Sequence, residues 1–214
     1  MSQKIMLLAV AMASIAMFVL PAAASAQDIH LEGVTSFSGS GLSSSFASQG
    51  EPTITCESSD VEGTVAAGGT TGNISLDFTG CHTTVFGFTA KCRTSGSPID
   101  NTIKSSGVFH LITISSGKPG MLITPVVTTI VCAGISNTVI SGNVLGSVTS
   151  PACGVSSKTF STSFTGTGGL QVHTSYTGAI YHLEEVTSGG AGGLAGLTWS
   201  STMFSSSSGV LTCT

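Results

Sequence analysis

The stretch VFHLITI, Val108–Ile114, is the clearest indication of fold class in the chain. Its residues are mostly β-branched, aromatic or aliphatic, and alternate positions form two faces that are both largely apolar. Because a strand buried on both faces has this composition, the stretch predicts a central strand. A second stretch, AIYHLEEV (Ala179–Val186), carries polar residues on both faces and predicts a half-exposed strand.

Similar short β segments recur from residue 29 to the end of the chain. After residue 26, no stretch of about eleven residues or more combines a 3.6-residue apolar period with helix caps. Turn-forming clusters such as AAGGTTGN (66–73) and SSGKPG (115–120) separate the β segments. We therefore predict an all-β fold, namely an antiparallel β-sandwich with Greek-key-like connections.

Two segments hint at internal duplication. TITCESSDVEGTV (53–65) is loosely similar to TIVCAGISNTVISGNV (129–144), since both place a polar connector after a cysteine. Two duplicated halves would give this similarity. Chance similarity between strands rich in Ser, Thr and Val would also give it, so duplication is an alternative that the sequence leaves open.

The N-terminus has the organisation of a secretory signal peptide. A cationic start (Met1–Lys4) precedes an apolar run (Ile5–Leu20) and the small-residue triplet Ala24–Ala26. The run is shorter than the roughly 20 apolar residues of a membrane span, which disfavours a membrane anchor. We predict cleavage after Ala26 and a secreted or cell-surface protein. The predicted organisation is a signal peptide (1–26), a β-sandwich domain (27–186), a Gly-rich loop (187–196) and C-terminal strands that complete the sheet (197–214).

The six cysteines all follow the predicted cleavage site. An even number in an exported chain predicts disulfides, whereas a zinc site needs closer spacing such as C-x-x-C. A nucleophilic thiol at Cys56 is disfavoured because acidic residues follow it, and an activated thiol needs an electropositive setting. The predicted disulfide cysteines are Cys56, Cys81, Cys92, Cys132, Cys153 and Cys213.

A weak preference for one pairing comes from the predicted strands. Cys81 and Cys92 flank HTTVFGFTAK, which predicts a hairpin turning near Gly87 and would bring the two cysteines within bonding distance. The segments TITC and TIVC, each ending in a cysteine, are expected to be neighbours in the sheet. The predicted pairs are Cys81–Cys92, Cys56–Cys132 and Cys153–Cys213.

Charge composition limits the classes of partner. Charged residues are 7% of the chain, and residues 27–214 hold five cationic and ten acidic side chains. Without a basic patch to neutralise phosphates, nucleic acid is not expected as a partner, and no polybasic segment for a membrane surface is present in the sequence. Hydrophobic residues are 41% of the chain, which is enough to expect a folded protein. No run after the cleavage site is apolar enough for a helical membrane span, so none is expected in the mature chain.

Three patterns that could carry chemistry are disfavoured. SSGK (115–118) matches the S-x-x-K motif but lies between predicted strands, although that motif should begin a helix. Glu184 and Glu185 are adjacent, so a strand directs them to opposite faces. A weak metal patch would need His173 and His182 to meet near Glu184. We therefore predict no catalytic, cofactor-binding or metal-binding residues and no cofactor.

Sugar binding would need exposed aromatic side chains as stacking platforms. Trp199, Tyr176 and Tyr181 are the only Trp and Tyr residues, and most of the ten Phe residues are expected in the core. A glycan-binding module is therefore a secondary interpretation.

Three motifs give the chain a resemblance to a known group. They are the step FTGC (Phe78–Cys81), the step GxVxG (Gly142–Gly146) ahead of Pro151, and the step GGxQ (Gly168–Gln171) ahead of Tyr176. Over residues 52–200 the chain resembles uncharacterised exported proteins, mainly of high-GC Gram-positive bacteria. The resemblance implies an exported all-β protein of unknown role and offers no catalytic residue.

We predict that the chain is not an enzyme but an exported cell-envelope or extracellular structural or interaction protein. Its expected partner is a second copy of itself or a cell-surface protein, bound through an exposed sheet edge or the terminal strand. The alternative is a secreted module that binds a small ligand or a glycan, and a hydrolase without recognisable motifs is a third interpretation.

Overall fold

The computed structural model describes residues 29–114, 118–150, 155–165, 171–174, 180–187, 193–205 and 208–213. Within these ranges the chain forms sixteen β-strands and no helix, so the all-β prediction is confirmed. The strands are β1 (Ile29–Glu32), β2 (Ser36–Gly41), β3 (Ser44–Ser48), β4 (Glu51–Cys56), β5 (Ser58–Val65), β6 (Thr71–Thr79), β7 (His82–Val85), β8 (Phe88–Thr94), β9 (Thr102–Thr113), β10 (Pro119–Cys132), β11 (Ser136–Ser150), β12 (Thr159–Phe164), β13 (Val172–Thr174), β14 (Ile180–Thr187), β15 (Gly193–Ser205) and β16 (Val210–Cys213).

The strands pack as two layers around one hydrophobic core, which confirms the predicted disulfide-stapled β-sandwich. The larger ladder has the order β13-β14-β11-β12-β15-β2-β5-β6-β9-β10-β8-β7-β4-β3, and β1 pairs with β16 separately. The long strands β10, β11 and β15 pair with different strands at their two ends. For example, β10 pairs with β9 near its start and with β8 near its end, and these strands therefore connect the two layers. β9 pairs with β6 and β10, so the predicted central strand at VFHLITI is confirmed.

Three hairpins turn at the same end of the sandwich, which we call the turn end. β3 and β4 turn at residues 49–50, β7 and β8 at residues 86–87, and β10 and β11 at residues 133–135. The β4–β7 register pairs Ile54 with Thr83, and the β8–β10 register pairs Cys92 with Cys132, which places the three turns beside one another.

An aromatic cluster fixes the two layers against each other. The Trp199 ring stacks on Phe164 with centroids 5.0 Å apart, and its Nε1–H donates to Ser59 Oγ at 2.7 Å. The Phe37 ring meets Phe109 and Phe160 edge-on at 5.4 and 5.5 Å. Edge-on and offset contacts at these distances stabilise a core beyond simple burial.

Two disulfides differ from the predicted pairs. Cys56 bonds Cys81, and Cys92 bonds Cys132, so the predicted Cys81–Cys92 and Cys56–Cys132 pairs are wrong. The predicted hairpin exists, and Cys92 N–H donates to the Cys81 carbonyl at 2.9 Å. Cys81 nevertheless bonds Cys56 of β4 across a Cα separation of 4.0 Å, and Cys92 bonds Cys132 of β10 across 4.1 Å. β7 and β8 lie between β4 and β10, which keeps Cys56 from Cys132.

The four cysteines form a buried row across β4, β7, β8 and β10, with Cys81 directly before β7. We call Cys56, Cys81, Cys92 and Cys132 the cystine row. Disulfides of this kind are typical of an oxidising, extracytoplasmic compartment. Cys213 is disulfide-bonded as well, while Cys153 lies outside the described residues, so the Cys153–Cys213 pair stays a prediction.

The predicted Gly-rich loop over 187–196 is too long. Thr187 ends β14 and residues 193–196 belong to β15, which pairs there with β14 and β3, while residues 188–192 lie outside the described residues. Small residues are accepted in β15 because Ala195 and Gly196 are buried against neighbouring strands. The C-terminal strands β15 and β16 join the sheets. The duplication of two halves stays an open alternative.

Candidate functional site

The β7–β8 hairpin presents two phenylalanine rings to solvent at the turn end. Phe86 and Gly87 form its two-residue turn with φ values of 49° and 83°. Positive φ at both central residues is the pattern of a type I′ hairpin turn. The Phe86 side chain is 97% exposed and that of Phe88, the first residue of β8, is 79% exposed. We call Phe86, Gly87 and Phe88 the aromatic tip.

Folding alone does not account for the aromatic tip. A left-handed conformation is unfavourable for a bulky L-residue, and Asn or Asp is usual at the position that Phe86 occupies. Each ring also forgoes about 1.5–3 kcal/mol that a buried phenylalanine contributes. Strained backbone together with exposed aromatic surface is typical of sites that contact other molecules.

The stem of the hairpin is held on both sides by the cystine row. The bond from Cys81 ties the start of β7 to β4, and the bond from Cys92 ties β8 to β10. The tip therefore projects from a covalently fixed base. A contact element fixed in this way loses little conformational entropy when it binds.

The stem is also the cationic part of an acidic chain. Residues 81–99 contain Lys91 and Arg93 and no acidic residue. Lys91 is exposed, and Arg93 Nη1 donates to Asp100 Oδ1 at 2.9 Å in an exposed ion pair. A partner surface for the tip would therefore be complementary if it carried negative charge.

Replacing Phe86 with Asn should stabilise the fold. Asn tolerates the left-handed conformation and no buried contact of Phe86 is lost, so we expect a gain of about 1 kcal/mol in the free energy of unfolding. Urea denaturation of the oxidised protein measures it. A loss of stability in this variant would show that the ring contributes to folding.

A groove with a volume of about 890 Å³ lies on the outer face of β2, β5, β6, β9 and β10. We call it the hydroxyl groove, because six of its fourteen lining residues carry a short side chain with a hydroxyl or amide group. The lining residues are Ser36, Phe37, Ser38, Glu62, Gly63, Thr64, Asn73, Ile74, Ser75, Ser106, Gly107, Val108, Pro125 and Val127.

Strand register places the groove's polar side chains in rows. Ser38, Glu62, Ser75 and Ser106 are successive partners across four strands, so their side chains share the outer face. Glu62 is the one charged residue in the lining of the groove.

A neighbouring row adds further negative charge. Ser40, Asp60, Asp77 and Lys104 are successive partners on the same face. Lys104 Nζ donates to Asp77 Oδ2 at 2.5 Å, which leaves Asp60 opposite Asp77 as the second carboxylate of the row. The surroundings of the groove are therefore acidic.

An apolar wall closes one side of the groove. The β10–β11 register shifts between Ile123 and Val126, where Pro125 interrupts the strand after a cis Thr124–Pro125 bond. Beyond this irregularity Val127 is 59% exposed, and Val108 of β9 lies beside it in the lining.

The aromatic residues considered from sequence do not form an exposed platform in the described structure. Trp199 is buried, Tyr176 lies outside the described residues, and Tyr181 lies in β14, which is described by its backbone. β13 and β14 pair as antiparallel strands, with His173 opposite Tyr181 and His182 opposite Val172. The SSGK serines at 115 and 116 lie outside the described residues.

The exposed aromatic residues were not singled out from sequence. Phe86 and Phe88 lay inside a correctly predicted hairpin, and a phenylalanine in the turn itself was the signal that could have found them. Phe204, 52% exposed, stands opposite Ser38 in the β15–β2 register and therefore beside the hydroxyl groove.

The described residues contain no group of three or more His, Cys, Asp and Glu side chains placed to hold a metal ion. In the same part of the chain no helix is long and apolar enough to cross a membrane. No family model, curated protein or solved structure matches the chain.

Proposed function

We propose that the chain is an exported, non-enzymatic protein of the cell envelope or the extracellular space that acts by binding another macromolecule through the aromatic tip. The observation that carries this proposal is the pair of phenylalanines that the chain exposes at a strained turn. The signal-peptide pattern of residues 1–26 and the two disulfides support export.

The tip is a better contact surface than the terminal strand β16. Strand addition needs an edge whose backbone groups are unpaired. The terminal strand β16 pairs with β1, and its Leu211 exchanges backbone hydrogen bonds with Ser157 on the other side. A partner that joined this strand would have to displace one of these neighbours, whereas the tip is accessible without any rearrangement.

Removing both rings should abolish this binding without unfolding the protein. In F86S/F88S we expect affinity for isolated cell envelopes of the source organism to fall at least about 100-fold, because burial of each ring contributes about 1.5–3 kcal/mol. Co-sedimentation of the purified, oxidised protein with the envelopes measures it.

Leu42 provides the matched control. It is 83% exposed and lies in the β2–β3 connection, away from the tip. Leu42→Ser removes a comparable exposed apolar side chain and should leave envelope binding unchanged. Equal binding by wild type and F86S/F88S would refute the tip as the contact surface.

Glycan binding is the second candidate function, favoured by Phe204 beside the hydroxyl groove. An exposed ring next to rows of hydroxyl groups offers both stacking and hydrogen bonding to a sugar. The acidic surroundings favour a neutral or amine-bearing glycan over an anionic one. Calorimetric titration with neutral and amino-sugar oligosaccharides tests it, and heat of binding that persists in Phe204→Ser would argue against this site.

A further inference from the structure

We infer that the partner of the aromatic tip is a second copy of the same chain, and that the hydroxyl groove of that copy receives the tip. This inference rests on the proposed function, since it names the partner of the tip: the binding sites on isolated envelopes would be copies of the chain held there. It brings together the two most prominent surface features of the described structure, one convex and one concave.

The sizes of the two features agree. An apolar cavity of about 150 Å³ is enough to bind benzene. The groove, at about 890 Å³, therefore has room for both rings of the tip and the turn between them. Two other cavities are smaller: one near Phe46, Ile54 and Ile140 has about 20 Å³ and cannot receive a phenyl ring, and one near Leu31, Val34 and Val65 has about 450 Å³.

The chemistry of the two surfaces also agrees. Val108, Pro125 and Val127 give the rings of Phe86 and Phe88 an apolar wall to cover, and Val127 is largely exposed in the single chain. Association would remove three exposed apolar side chains from water at once.

Charge complementarity supports a second copy as the partner. The tip's stem carries Lys91 and Arg93, while Glu62 lines the groove and Asp60 lies in the next row. The most cationic segment of the chain would thus meet an acidic face of its neighbour. Complementary potentials of this kind accelerate association and fix its orientation.

The positions of the two features determine the form of the assembly. The groove is formed by β6 at Asn73–Ser75, whereas the tip follows β7 at the turn end. Ten residues of the chain, up to about 33 Å, separate Ser75 from Val85. A tip-to-groove contact joins two different patches and is heterologous. When each pair forms one such contact, one tip and one groove are left unused, so copies add head to tail into an open chain.

Sedimentation velocity of the purified, oxidised chain over a concentration series tests the inference. We expect wild type to form dimers, trimers and longer species as concentration rises. The tip variant F86S/F88S and a groove variant, Ser75→Arg, should each need at least about 100-fold higher concentration to associate. Ser200→Arg, at an exposed serine of β15 outside the groove lining, is the matched control and should assemble like wild type.

Mixing the two defective variants gives the most specific result. The tip variant retains an intact groove and the groove variant retains an intact tip, so the mixture should form a one-to-one dimer and no larger species. Charge reversal adds a second readout: Glu62→Lys should weaken assembly about tenfold, and Lys91→Glu in the same chain should restore part of the loss.

A wild-type chain that stays monomeric at every concentration would overturn the inference, as would assembly that F86S/F88S or Ser75→Arg leaves intact. The same experiments distinguish failure of this inference from failure of the proposed function. A monomeric chain whose envelope binding still depends on Phe86 and Phe88 has a different partner, so the inference fails and the function stands. Oligosaccharide binding that Ser75→Arg abolishes in a monomeric chain would assign the groove to a glycan instead.

Discussion

Removing both described disulfides is expected to unfold the protein at physiological temperature. Replacing the cystine row by alanine, C56A/C81A together with C92A/C132A, should lower the free energy of unfolding by about 7 kcal/mol. A typical domain is stable by only about 5–15 kcal/mol, so most or all of the stability would be lost.

This estimate follows from the lengths of the closed loops. The bonds join residues 25 and 40 positions apart, and each closed loop of that size removes about 3–4 kcal/mol of entropy from the unfolded chain. The loops follow one another along the chain without overlap, so the two losses should add. The cysteines are also buried, and their replacement by alanine leaves space in the core.

Urea denaturation of the two double variants and the quadruple variant, with Cys153 and Cys213 left in place, measures the effect. Each double variant should lose about half of the total. A quadruple variant that loses less than about 1 kcal/mol would show that other contacts hold β4, β7, β8 and β10 together.

Gly63→Val should cause a large loss of stability in the groove-forming layer. A Cβ at Gly63 would lie 2.2 Å from the Phe37 Cζ atom. The Phe37 ring cannot move aside easily because Phe109 and Phe160 hold it edge-on. Overpacking of a close-packed core costs about 1–3 kcal/mol, and a branched side chain at this distance should reach the upper value.

Two further variants show whether the ring is the cause. Phe37→Leu shortens the side chain that occupies the space beside Gly63. The combined variant G63V/F37L should therefore lose less free energy of unfolding than the sum of the losses in the two single variants. Ser38→Val, an exposed position next to Phe37 on the same strand, should change stability by less than about 0.5 kcal/mol. Strict additivity of G63V and F37L would contradict the proposed clash.

The sequence predicted correctly the strand and the hairpin that depend on local residue patterns. VFHLITI is a central strand because it pairs with β10 on one side and β6 on the other, although only Phe109 and Leu111 of this stretch are buried. HTTVFGFTAK is a hairpin because Gly87 accepts the turn conformation. The disulfide pairs depended on which strands lie on the far sides of that hairpin. Which strands are neighbours is a long-range property of the fold. The four segments that contain or follow these cysteines are all strongly β-forming, so their local sequence does not indicate their neighbours.

The candidate site was harder to predict than the fold for a similar reason. Searching for Trp and Tyr pointed to Trp199, which the core requires because its ring fills the space beside Phe164 and its N–H reaches Ser59. The hydroxyl groove is made by register across five strands and has no signature within any one of them. Phe86 could have been recognised, since a bulky residue in a two-residue turn opposes the local preference.

The most direct test of the central claim, that the aromatic tip exists for binding and not for folding, is a paired measurement on Phe86→Asn. The free energy of unfolding and the affinity for isolated cell envelopes are measured on the same oxidised preparation. We predict that stability rises by about 1 kcal/mol while envelope affinity falls about tenfold or more. A variant that loses stability, or that gains it and binds as tightly as wild type, would contradict the claim.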